Sequence, residues 1–191
     1  SKYSDKMPTA GEQVWDDVDA TDEGVTDLGA DNTLGYEINV SGITASASYA
    51  RVGAGTDNSL VLIADELVEN ASFGIGVGTN VTATSGTEDD MSTAWATYTT
   101  GPVTMGVQLS ETDKTAANSD IDREHVAISF AVNENLSISY GISNVEYEDS
   151  TKSDEESTGF SASYTMGGMT LGAVANKSDS LLGAAGTDRT F

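Results

Sequence analysis

The chain has 191 residues, 38% of them hydrophobic, and its 31 acidic against 8 basic side chains give a formal net charge of −23. Such an excess of anions repels phosphate backbones and excludes nucleic acid as a partner. The absence of cysteine removes disulfide scaffolds, thiolate metal sites and cysteine nucleophiles.

Residues 1–32 are acidic and follow neither a helical nor a strand period. No charged and apolar leader opens them, so any secretory signal is expected outside this sequence. From residue 33 the pattern changes. Leu34, Tyr36, Ile38 and Val40 alternate with Thr33, Gly35, Glu37 and Asn39. The Ser41-Gly42 pair follows, then Ile43, Ala45, Ala47 and Tyr49 alternate with small polar residues, which predicts a hairpin with a tight turn. A less regular copy runs from Leu60 through Glu69-Asn70 to Phe73, Ile75 and Val77, with the phase of residues 60–65 open. The run 92–99, equally open in phase, leads through Gly101-Pro102 to Val103, Met105, Val107 and Leu109. Val126, Ile128, Phe130 and Val132 enter a turn at residues 133–135, and Leu136, Ile138, Tyr140 and Ile142 leave it. Phe160, Ala162, Tyr164 and Met166 reach Gly167-Gly168, and Met169, Leu171, Ala173 and Ala175 continue. The period is two throughout.

Connections alternate in length. Ser41-Gly42, Glu69-Asn70, Gly101-Pro102, residues 133–135 and Gly167-Gly168 are short, whereas 79–90, 111–122, 148–157 and 176–187 are long and polar, with 53–59 the shortest of that set. Segregated turns and loops, strands of eight to eleven residues and no apolar run beyond residues 60–64 together predict a barrel that crosses a membrane with strands rather than helices. Tyr98, Phe130 and Tyr164 fall near the short turns and Tyr49, Tyr140 and Phe160 near the long loops, as two interfacial girdles require. The opposite stripe is mostly Ser, Thr, Gly, Ala, Asn and Gln, with lysine confined to the loops and the first segment. A solvated soluble sheet would use Lys and Glu there. Small hydroxyls suit a water-filled lumen, with Glu37, Arg51, Gln108 and His125 facing it.

On these hairpins the chain resembles the general bacterial porins, the trimeric, sixteen-stranded family of Gram-negative outer membranes. Residues 34–49 are similar to the family hairpin that follows the inward-folded third loop, and residues 159–173 to its penultimate hairpin. The resemblance implies an all-β, antiparallel transmembrane β-barrel of about 16 strands, the last 10–11 of them within residues 33–191, with Asp188-Arg189-Thr190-Phe191 opening the final strand. Residues 1–32 are then the constriction loop, with Asp16, Asp17, Asp19, Asp22, Glu23 and Asp27 lining the narrowest part of the pore. Opposing wall cations are few, only Arg51, Arg123 and Arg189, all expected at loop-side strand ends. The implied function is passive diffusion of small hydrophilic solutes and ions, with cation preference, by a homotrimer embedded in outer-membrane lipid and lipopolysaccharide.

No catalytic constellation is present, and no enzyme activity or cofactor is expected. A single histidine, His125, makes neither a metal site nor an acid–base pair and is expected as a rim residue. The spaced glycines of residues 74–78 sit within a strand and lack the helix a nucleotide site needs. Glu88-Asp89-Asp90 and Asp154-Glu155-Glu156 are oxygen clusters at which Ca²⁺ would bind loosely at most. The rival reading is a secreted, acidic, β-rich surface-layer or adhesin protein that binds calcium. It requires the apolar stripes to pack against each other.

Overall fold

The computed structural model describes Met7, Thr9 and residues 33–52, 55–81 and 87–190. Ten long antiparallel strands and a short eleventh form one meander: β1 (Thr33–Val40), β2 (Ile43–Val52), β3 (Gly55–Val68), β4 (Ala71–Val81), β5 (Glu88–Thr100), β6 (Val103–Lys114), β7 (Ile121–Ala131), β8 (Leu136–Tyr147), β9 (Glu155–Met166), β10 (Met169–Asp179) and β11 (Arg189–Thr190). Each strand pairs with its neighbours in sequence, and β1 and β11 are the edges. In a bilayer no water can satisfy a free N–H or C=O, so this continuous ladder is what allows the segments to span it.

The short turns form where their residues tolerate the left-handed region. Ser41 and Gly42 have φ of 53° and 82°, the two positive values that a tight hairpin turn with the native strand twist requires. At the β7–β8 turn, Asn133 Oδ1 accepts the amide N–H groups of Asn135 at 2.9 Å and Leu136 at 3.0 Å.

Two expectations are corrected. The polar connections are shorter than anticipated because the ladder runs on past the apolar part of each strand: Val52 pairs with Gly55, so most of 53–59 belongs to β3. Lys114 and Lys177 likewise lie in strands rather than loops. Backbone pairing needs no apolar side chain, so a hydrophobic pattern underestimates strand length. The open phases are fixed by the neighbours. Leu60 and Leu62 pair with Val77 and Ile75 on one face, while Val61 is buried opposite Gly76 on the other. Extra residues between Ala64 and Val68, against only two steps from Phe73 to Ala71, make a bulge that obscured the period.

Burial is the reverse of a soluble sheet. Leu60, Leu109 and Leu171 are exposed to 47%, 53% and 57%, whereas Gln108, His125, Ser161 and Ser178 are fully enclosed. Met7 packs on Ala127 of β7, and Trp95 of β5 and Leu181, beyond β10, pack against that pair. Four strands separate β5 from β10, and at ~4.8 Å per strand the wall between them spans roughly 24 Å. Side chains so far apart converge because the polar face is the inside of a curved wall.

Candidate pore lining

Register aligns the inward side chains into rows across the wall. One row passes from Trp95 through Gln108, His125, Ser143 and Ser157 to Ser178. The next row toward the long loops contains Glu37 and Ser46 at one end and Ser110, Arg123, Val145 and Glu155 at the other. Neighbouring members bond to one another. Thr93 and Ser110 hydroxyls are 3.0 Å apart, Ser139 and Ser161 are 2.6 Å apart, and Ser46 donates to Glu37 Oε2 at 2.8 Å. Arg123, buried, donates from Nη1 to Thr112 Oγ1 at 2.9 Å. A buried polar group is costly unless it is hydrogen-bonded, and these cross-strand hydroxyl pairs meet that need without large side chains.

Glu37, Gln108 and His125 stand on this polar face. His125 is not at an open rim as expected; it is enclosed in the wall between Gln108 and Ser143. Arg51 is a correction of another kind. Strand β2 runs without a bulge from Ile43, so Arg51 shares the face of Ala47 and Tyr49, and it is exposed there, while Ala50 is buried on the inner side. The proposed constriction acids Asp16, Asp17, Asp19, Asp22, Glu23 and Asp27 lie outside the described residues.

Two inward residues escaped the sequence reading. Trp95 lies over Gly74, where an added Cβ would fall 2.3 Å from the indole nitrogen, so glycine is what admits the ring. Glu155 sat hidden in a run of three acids. Counting back in twos from Ser161 and Ser157 assigns it to the inner stripe, with Asp154 and Glu156 exposed beside it. That split also disperses the expected oxygen cluster, and among the described residues no three His, Asp or Glu side chains converge on a metal position.

The outer face carries the apolar belt. Above Leu109 come Glu111 and Asp113, and directly opposed acids (Glu111 with Asp122, Asp90 with Asp113) follow on the neighbouring strands. Like charges facing each other are tolerable only where water screens them, so this line marks where the belt ends.

The model of the Gram-negative porin family matches residues 4–190. The chain belongs to that family. No curated protein matches the sequence, but solved structures, two of them of porins, share its fold. The anion-selective porin from Comamonas acidovorans superimposes with a TM-score of 0.73 at 17% identity, over 96% of this chain and 63% of that one. In-vitro folded OmpT, an outer membrane protein of Vibrio cholerae, gives 0.60 at 17% identity, over 77% and 53%. A porin refined at 1.8 Å resolution gives 0.60 at 14% identity, over 83% and 59%. This porin chain therefore spans between about half and two thirds of the length of the structures it resembles. It is an outer-membrane β-barrel protein. The rival adhesin reading needed apolar stripes packed together, and here Ile75, Val107 and Ile128 stand exposed.

Proposed function

We propose that the full-length protein is a homotrimeric channel for passive diffusion of small hydrophilic solutes and ions, with preference for cations. The observation that carries this reading is the inner face itself: transverse rows of serine, threonine and glycine, mutually bonded, on the concave side of a wall whose convex side is oily. Selectivity in such a pore follows from its width and from the charges that line it. The net charge of −23 favours cations, while the wall itself is more evenly set, with inward acids Glu37, Asp57, Asp89 and Glu155 against Lys114, Arg123 and Arg189 among the described residues. The anion preference named for the Comamonas porin belongs to that protein.

In this reading residues 1–32 fold into the barrel formed with 33–191, and Asp16, Asp17, Asp19, Asp22, Glu23 and Asp27 line the constriction. The seat of Met7 on Ala127 at the inner wall supports it. Ala45, Ala47, Ala162, Ala173 and Ala175, small and outward, leave room for close subunit contact, with lipid and lipopolysaccharide around the rest. Calcium is at most a loose counter-ion of the acidic loops.

One experiment addresses selectivity and assembly together. Inserted into planar bilayers under a salt gradient, the full-length protein is expected to give cation-selective reversal potentials and conductance steps in groups of three. A reversal potential of the opposite sign ends the cation reading, and solitary steps end the trimer.

A further inference from the structure

The segment between β10 and β11 turns inward at its start, in a single 3-10 turn (Leu181–Gly183) with Gly183 buried and Leu181 half-buried, while residues 184–188 stay exposed. Three observations fix it there. The Leu182 amide N–H donates to Glu155 Oε2 at 2.7 Å, and Glu155, 1% exposed, also accepts from Ser178 Oγ at 3.3 Å and Ser157 Oγ at 3.4 Å through Oε1. Leu181 packs against the cluster of Met7 and Ala127, and Ala127 lies on β7, three strands in from β10. From the other side, the Ser153 N–H donates to the Gly183 carbonyl at 2.9 Å, and Lys152, whose ammonium lies 4.3 Å from the Tyr147 ring, walls in Gly183 so closely that a Cβ there would meet its stem at 2.9 Å.

The backbone is forced into this course. Ser180, Leu182 and Gly183 have φ of 57°, 58° and 74°. Two of the three carry a Cβ and adopt the left-handed region at a cost, a conformation that persists only where surrounding contacts over-determine it. A loop free in water would relax. The contacts that hold this one are a buried carboxylate of the lumen wall and an apolar side chain set inside the lumen.

We propose that residues 180–188 form an inward strap that narrows the lumen and thereby sets the size of solute it passes, with Glu155 as the latch and Leu181 as the anchor. The inference rests on the porin reading and adds to it a narrowing element distinct from residues 1–32, which it touches at Met7. Glu155 acts here as a positioning residue: its carboxylate is used up in holding the strap and its flanking serines.

The test is single-channel conductance of the full-length protein in planar bilayers, together with the cut-off for neutral sugars or polyethylene glycols of graded size. Glu155→Ala and a deletion of residues 181–186 closed by two glycines are each expected to raise conductance on the order of twofold and to admit larger solutes, as a widened water-filled pore must. The heat-modifiable shift on gels checks that each variant assembles, and if Glu155→Ala does not, the deletion alone decides. Unchanged conductance and cut-off in the deletion overturn the strap. A rise in the deletion without one in an assembled Glu155→Ala overturns Glu155 as the latch. Absence of any channel in the unmodified protein removes the porin reading and the strap with it.

Discussion

On β7, Val126, Ile128 and Phe130 leave the sheet on one side, and Arg123, His125 and Ala127 on the other. The two faces obey opposite rules. The outer face accepts any size, from Ala173 to Tyr140, but its ionised groups, Glu111, Asp122 and Glu124 among them, keep to the long-loop margin of the belt. The inner face encloses Asp57, Arg123 and Glu155, yet restricts size, since Gly74 gives way to Trp95. Lipid tails are fluid and conform to any apolar shape, but they cannot solvate a charge. A pore wall supplies hydrogen-bond partners for charge, but its side chains interlock and their volumes are fixed.

The largest break in this contrast is a charge on the outer face. Ile128→Arg, near the middle of the belt, is expected to lower stability by about 2–4 kcal/mol. Ser129→Asp, the next residue but facing inward and adding a charge with little extra volume, should change it by roughly 0.5 kcal/mol or less. Urea titration of the refolded protein in lipid vesicles measures both, and equal losses would mean the faces are not lipid and water. Size comes second. Gly74→Val drives a Cβ into the indole of Trp95 and should cost about 1–3 kcal/mol. Gly172→Ala, with nothing within 4 Å of its added carbon, should stay within about 0.5 kcal/mol. Trp95→Ala in the Gly74→Val background should recover part of the loss, because the two changes share one contact. Full additivity would show that the clash is not the cause.

Much of this arrangement was legible from period and turn chemistry. Ser41-Gly42, Gly101-Pro102 and Gly167-Gly168 announce two-residue turns, and Val126 to Phe130 announces an outward stripe, because both signals are local to a few residues. What failed depended on partners. Leu60, Val61, Leu62 and Ile63 are all apolar, so only their register against the glycines of β4 decides which face out. Strand ends were missed because polar residues continue the ladder as well as apolar ones. The charge of Arg51 suggests an inward position, but its spacing from Tyr49 assigns it outward. Glu155 looks like one of three loop acids, though its spacing from Ser157 and Ser161 places it on the inner stripe.

The smallest effect tests how the inner face holds together. Ser139 and Ser161 hydroxyls lie 2.6 Å apart and both are buried. Ser161→Ala removes that bond and leaves the Ser139 hydroxyl short of one partner, at a cost of about 1 kcal/mol. Replacing both should cost less than twice as much, since a pair deleted together leaves no group deprived of its mate. The same urea titration reads the cycle, and conductance should not move, because two alanines occupy nearly the volume of two serines. A double variant as costly as the two single losses summed would show that the hydroxyls bond independently, and the transverse rows would then be a consequence of register alone.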